Sequence, residues 1–304
     1  MAFALFRKIT LVSVAMLCAV SVSARGTNDP SSGKLVLFPG QLPIPNYGGG
    51  DFIQTFTGWN VPGKHFKAGN GWWVFACKEN CELSTAKMTV ANSTHPEYDG
   101  PPIPSQLMKW SPLPFQLNNE KLYGSGENAL SPERARKPFD PILLAMFKPT
   151  RELADRLHFS IGRVTTWWHH GMPTLPKSND DFSRTSIEIG HGKQAILAQR
   201  FTDVPKQPIQ AEEQRQLLIE LQIDGVRQTL ASYTFHMEVG EFRSPKSYLM
   251  WIGDIDGDGK VDILINSTSY YWNTTMFLSS LAKKGELVGK AGNFNFSPPD
   301  SPGC

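Results

Sequence analysis

The chain has 304 residues, 40% of them hydrophobic, and a formal net charge of +2. That allows one large domain or two modest ones around a sizeable core. No polybasic arm or acidic tail stands out among its 30 basic and 28 acidic residues, so nucleic-acid binding has little electrostatic support.

Met1–Ala24 reads as a signal peptide. Arg7 and Lys8 form a charged start, Ile9 to Val20 is apolar, and Val22-Ser23-Ala24 offers the small residues that cleavage requires. The apolar run is too short to span a bilayer comfortably, and no later segment is apolar enough to cross one. The expectation is an exported product, periplasmic or secreted, with no membrane span after cleavage. Arg7 and Lys8 leave with the signal, so 30 basic residues become 28 against 28 acidic ones.

Residues 25–33 look like a flexible lead-in, and "KLVLF" (34–38) is the first expected strand. Residues 39–70 are rich in Gly and Pro with short apolar runs. "GWWVFACKENCELSTAKMTVAN" (71–92) predicts a hairpin, and 93–140 is loop-rich. "ERARKPFDPILLAMF" (133–147) fits either a short helix or a strand ending in "ILLAMF", since periodicity does not separate the two.

Strand signals strengthen from Leu157. "LHFSIGRVTTWWHH" leads into a polar loop, and "RTSIEIGHGKQAILAQRF" (184–201) predicts two strands around His191-Gly192. In "RQLLIELQIDGVRQTLASYTF" (215–235), Leu217, Ile219, Leu221 and Ile223 alternate up to Asp224-Gly225, a strong hairpin signal because both turn residues tolerate positive φ. "YLMWIGDIDGDGKVDILIN" (248–266), "TTMFLSS" (274–280) and "ELVGKAGNF" (286–294) complete the set. Dispersed Gly (26) and Pro (23) suit many short strands joined by turns. The predicted class is all-β, an antiparallel sandwich or mixed β assembly. It comprises a loop-rich N-terminal module (25–150) and a second β module (151–304) carrying a strand-flanked acidic loop.

Cysteine use fits export. Cys18 leaves with the signal, and Cys77-Lys-Glu-Asn-Cys81 sits in the turn of a predicted hairpin, where a disulfide is the favoured reading. Cys304 is free, bonded to one of that pair, or intermolecular.

The acidic loop, "GDIDGDGKVD", carries the clearest chemistry. With Asp254 as ligand position 1, Asp256 is 3, Asp258 is 5, Lys260 is 7 and Asp262 is 9, with Gly259 at 6 for a sharp turn. Ca²⁺ takes six to eight oxygens, and side chains at 1, 3 and 5 converge only when the loop wraps a centre. Lys260 would offer its carbonyl, and Asp262 would close the shell directly or through water. Without a cation the crowded carboxylates repel one another. An EF-hand needs Glu at position 12 between two helices, but here position 12 is Ile265 and the flanks are strand-like.

"WIGDIDGDGKVDILIN" resembles the FG-GAP or VCBS-type repeat of integrin-like propellers and many exported bacterial proteins. One copy is evident, over about residues 248–294. The resemblance implies Ca²⁺ held by Asp254, Asp256, Asp258 and Asp262 with the Lys260 carbonyl.

Aromatic pairs recur at Trp72-Trp73, Trp167-Trp168 and Tyr270-Tyr271-Trp272. Neighbours on a strand face opposite ways, so each Trp pair places one indole on each side of its sheet. Trp167 and Trp168 could then supply a ligand platform for sugar rings, although packing is the commoner use of such residues. His169-His170 invites a metal reading, but the same alternation keeps adjacent residues from chelating one ion. The expected function is a Ca²⁺-stabilised, non-enzymatic binding, surface or envelope protein whose surface ligand is unknown, a carbohydrate or a protein. The alternative is an exported hydrolase, glycan-directed, with a structural calcium.

Overall fold

The computed structural model describes residues 34–40, 58–62, 65–95, 101–114, 141–172, 177–178, 183–203, 214–236, 248–266 and 272–296. The expected signal segment, Tyr270, Tyr271 and Cys304 lie outside the described residues.

The chain is nearly all β, as expected. In order the strands are β1 (Leu35–Pro39), β2 (Gly58–Pro62), β3 (Gly69–Cys77), β4 (Cys81–His95), β5 (Ile103–Ser111) and β6 (Ile142–Pro149). The single turn of helix α1 (Arg151–Ala154) follows, then β7 (Gly162–His169), β8 (Lys177–Ser178), β9 (Arg184–Glu188), β10 (Gln194–Asp203), β11 (Gln214–Ile223) and β12 (Val226–His236). Last come β13 (Leu249–Asp254), β14 (Asp262–Asn266), β15 (Trp272–Leu278), a 3-10 turn (Ser279–Leu281) and β16 (Gly289–Phe296).

Two antiparallel sheets result. The larger has 11 strands, ordered β1-β6-β3-β4-β7-β13-β14-β15-β16, with β5 attached to β4 and β2 attached to β5. One stretch of β4 (Cys81–Leu83) pairs with β7, and another (Lys87–His95) pairs with β5. Strands from both sides of residue 150 therefore share this sheet. Its ends nearly meet: a Cβ added to Gly292 on β16 would lie 3.0 Å from the Leu35 carbonyl oxygen on β1. The Phe38 and Phe294 rings are 5.6 Å apart. The sheet is thus a nearly closed barrel. The smaller sheet has five strands in the order β12-β11-β10-β9-β8.

Each sheet follows from local sequence. Asp224 and Gly225 take φ values of 49° and 80°, the left-handed turn that joins β11 to β12 in register. The ambiguous "ILLAMF" becomes β6 because β1 and β3 pair along its two edges. Its side chains are buried on both faces, which explains the missing alternation.

The main core fills the barrel. Phe38, Trp72, Trp110 and Phe294 cluster there, and Phe75 meets Trp251 edge to face at 4.9 Å. A second core lies between the barrel wall (Trp168, Leu249, Ile252, Ile263, Ile265, Phe277) and the small sheet (Ile187, Leu197, Leu217, Ile219, Leu221). The wall strands β13 and β14 are covered on both faces, so "LMWI" and "ILI" run without alternation.

The aromatic pairs behave differently from one another. Trp72 is in the main core, while Trp73 packs on Phe159 with ring centroids 5.6 Å apart. At Trp167-Trp168 the expected alternation fails. Thr166 pairs with Gly253 and Trp168 with Ile252, leaving Trp167 as an extra, bulged residue. A bulge turns two neighbours to one side, and both indoles pack on the second core. Trp168 is only 5% exposed while Trp167 is partly exposed, so the two indoles do not present one shared open surface.

Candidate metal centre

The acidic loop joins β13 to β14 at the wall shared by the two cores. Gly253 pairs with Asp262 at the loop's base. Strand β7 crosses so close that a Cβ on Gly253 would lie 2.2 Å from the Thr165 carbonyl oxygen. Only glycine fits that approach. Within the loop Gly257 and Gly259 have φ of 77° and 78°, which glycine adopts without a Cβ clash. The chain therefore curls back on Asp254. Ile255 enters the main core and Val261 the second core, so the loop is fastened to both.

Each carboxylate has a distinct environment. Asp254 accepts the N–H groups of Gly257 (2.8 Å) and Asp258 (3.1 Å) at Oδ1 and that of Gly259 (2.9 Å) at Oδ2. Asp262 is 0% exposed and accepts the Ile255 N–H at 2.8 Å and the Ser279 N–H at 2.7 Å. Asp258 accepts the Lys260 N–H at 2.9 Å, and both its oxygens lie 2.9 Å from the Ser279 hydroxyl. Asp256 is 7% exposed. Its Oδ2 accepts from the Ser280 hydroxyl, whereas its Oδ1 has no hydrogen-bond partner.

Oxygens of Asp254, Asp256 and Asp262 lie within 4.8 Å of one another. Burial holds the Asp262 carboxyl well above the ordinary carboxylate range. The charges of Asp256 and Asp258 push it the same way, while the Ser279 and Ile255 N–H groups oppose. Asp256 is raised first by burial and further by the charges of Asp258 and Asp254, against hydrogen bonding from the Ser280 hydroxyl and the Asp258 backbone. These groups resist ionising beside one another, and a cation at their centre would reverse that preference.

The expected ligand set is thus brought together at Asp254, Asp256 and Asp262, with Asp258 turned toward Ser279. The Lys260 ammonium is largely exposed and 3.8 Å from Asp258 Oδ2, which leaves only its carbonyl for the role expected of it. Ser279 and Ser280 were not foreseen. They lie 17 and 24 residues from the carboxylates they touch, and no local pattern marks them.

A second cluster joins Cys77, Cys81 and His169. The sulfurs are bonded, at 1.96 Å, as the hairpin reading expected. A His169 ring nitrogen lies within 4.8 Å of them. Bonded sulfurs are not thiolate ligands, so this group as it stands is not a metal centre. His169 is 0% exposed, accepts the Gly171 N–H at Nδ1 (3.1 Å), and has no partner at Nε2. Burial, and secondly His170, lower its pKa to about 4. His170 sits beside Trp168 instead, 6.3 Å between centroids, so the two histidines do not converge on one ion.

Compared with known proteins, the chain matches no family model, no curated protein and no solved structure.

Proposed function

We propose that this chain is an exported β-protein whose fold is stabilised by Ca²⁺ bound in the loop Asp254–Asp262, and that it serves at the cell exterior by binding rather than by catalysis. The observation that carries the cation is Asp256 Oδ1, a buried carboxylate oxygen without a hydrogen-bond partner, on a carboxylate that gathers with those of Asp254 and the fully buried Asp262. An uncompensated buried charge of this kind is strongly unfavourable, and a hard divalent cation supplies the compensation. The likeness of the loop to FG-GAP or VCBS-type repeats supports the same ion, and the apolar segment after Arg7-Lys8 supports export. A structural role suits the place of the loop, since Ile255 and Val261 fasten it to the two cores. A surface carbohydrate or a surface protein is the ligand class proposed for the molecule as a whole.

Scanning calorimetry of chelator-stripped protein tests the cation. Saturation at a hundred times Kd adds about 2.7 kcal/mol, a rise in Tm of roughly 5 °C for a chain of this size. Asp256→Asn keeps the shape, removes the charge, and should lose most of that rise. A wild-type Tm indifferent to Ca²⁺ refutes the reading.

A further inference from the structure

The loop alone offers a thin shell for the cation. Ca²⁺ takes six to eight oxygens. Asp254 already spends both oxygens on N–H groups of its own loop, and Asp262 spends both on Ile255 and Ser279. The position that supplies a bidentate Glu in an EF-hand is Ile265, buried in the second core. Oxygen is needed from elsewhere, and the fold delivers it from the 3-10 turn after β15. The Ser280 hydroxyl reaches Asp256 Oδ2, on the carboxylate whose other oxygen is unpartnered. The Ser279 hydroxyl stands 2.9 Å from both oxygens of Asp258 and 3.1 Å from Asp262 Oδ1. One hydroxyl carries one proton and three acceptors surround it, so carboxylate oxygens remain that no proton on this side chain satisfies.

We infer that the cation site is built from two chain segments: the carboxylates of 254–262, and the Ser280 hydroxyl oxygen as a further ligand, with Ser279 positioning Asp258 and Asp262. The inference rests on the cation reading above and extends it to residues beyond the loop. It couples occupancy to docking of the turn between β15 and β16, because the same turn places Leu281 in the main core. The cation thereby ties the β13–β14 hairpin to the β15–β16 connection.

Calorimetric titration of the chelator-stripped full chain with CaCl₂ tests this, using wild type, Ser280→Ala and Ser280→Thr. Ser280 is exposed as a residue, so truncation removes an oxygen without opening a core. The expected result is a roughly tenfold or greater weakening in Ser280→Ala and recovery in Ser280→Thr, which keeps the hydroxyl. The Ser280 hydroxyl donates to Asp256 Oδ2 without the ion, so Ser280→Ala lowers the cation-free Tm by that one hydrogen bond. A ligand role shows as a further Tm gap from wild type that opens when Ca²⁺ is added, whereas a mere brace leaves the gap unchanged. Equal Ca²⁺ affinity in wild type and Ser280→Ala overturns the two-segment site and leaves the loop site standing. Absence of binding by wild type overturns both.

Discussion

His169 shows how much one side chain's surroundings decide. Its ring sits fully buried in the main body of the barrel wall, beside the Cys77–Cys81 bond, and takes its one hydrogen bond from the Gly171 N–H. Burial and the neighbouring His170 lower its pKa to about 4, whereas the unfolded chain takes up the proton near pH 6.5. Between those values the unfolded state binds more protons, so stability falls as the pH drops from about 6.5 toward 4. The loss is on the order of 2–3 kcal/mol across that window. The raised carboxyls of Asp256 and Asp262 act in the opposite sense when no cation is present, so the measurement belongs in saturating Ca²⁺. Urea unfolding at pH 7 and pH 4.5 should show the loss in wild type and a flatter dependence in His169→Gln. An unchanged acid limb in the variant would mean that His169 is not its source.

Among the elements, the small sheet is held to the rest of the fold by its core and, in addition, by a side chain at its edge. Gln228 on β12 accepts the Leu287 N–H (2.7 Å) and the Val288 N–H (3.0 Å) and donates to the Val288 carbonyl (2.7 Å). It does for residues 287–288 what a neighbouring strand would do. Gln228→Ala strands two donors and an acceptor, a cost of roughly 2–4 kcal/mol. Hydrogen exchange should then accelerate at the Leu287 and Val288 amides, while the β13–β14 hairpin keeps its protection as long as Ca²⁺ is bound. Such ties are invisible in the sequence, since Gln228 and Val288 are 60 residues apart. What was legible was local. Asp224-Gly225 set the β11–β12 turn, the spacing of Asp254 to Asp262 set the acidic cage, and Cys77 and Cys81 sat across one hairpin. The bulge at Trp167 was hidden because β13, its cause, comes more than 80 residues later. Ser279 and Ser280 escaped for the same reason. The strand state of β6 needed the register of β1 and β3, which its own apolar run does not encode.

The whole molecule is organised by a barrel wall that both cores share. The loop-rich first half and the strand signals that strengthen from Leu157 suggested a module on either side of residue 150, yet β4 pairs with β7 across that point, and β16 packs on β1. A fragment of residues 151–304 would keep the acidic loop and the small sheet. It would lose Leu37, Phe38, Trp72, Phe75 and Phe147 from the main core, and with them the cover over Met250, Trp251, Leu264, Met276, Leu278 and Phe294. Six large side chains at about 1.5–3 kcal/mol each come to roughly 10 kcal/mol or more. That equals the entire stability of an ordinary domain, about 5–15 kcal/mol. Ca²⁺ in the proposed site would return only about 2.7 kcal/mol at a hundredfold excess, which is too little to rescue the fragment. The full chain should unfold in one transition, with tryptophan fluorescence and far-UV circular dichroism superimposing in urea. The 151–304 fragment should show no cooperative transition with or without Ca²⁺. A cooperative melt of the fragment in Ca²⁺ would mean that the second core and the loop fold on their own, and that the barrel is assembled from two independent halves.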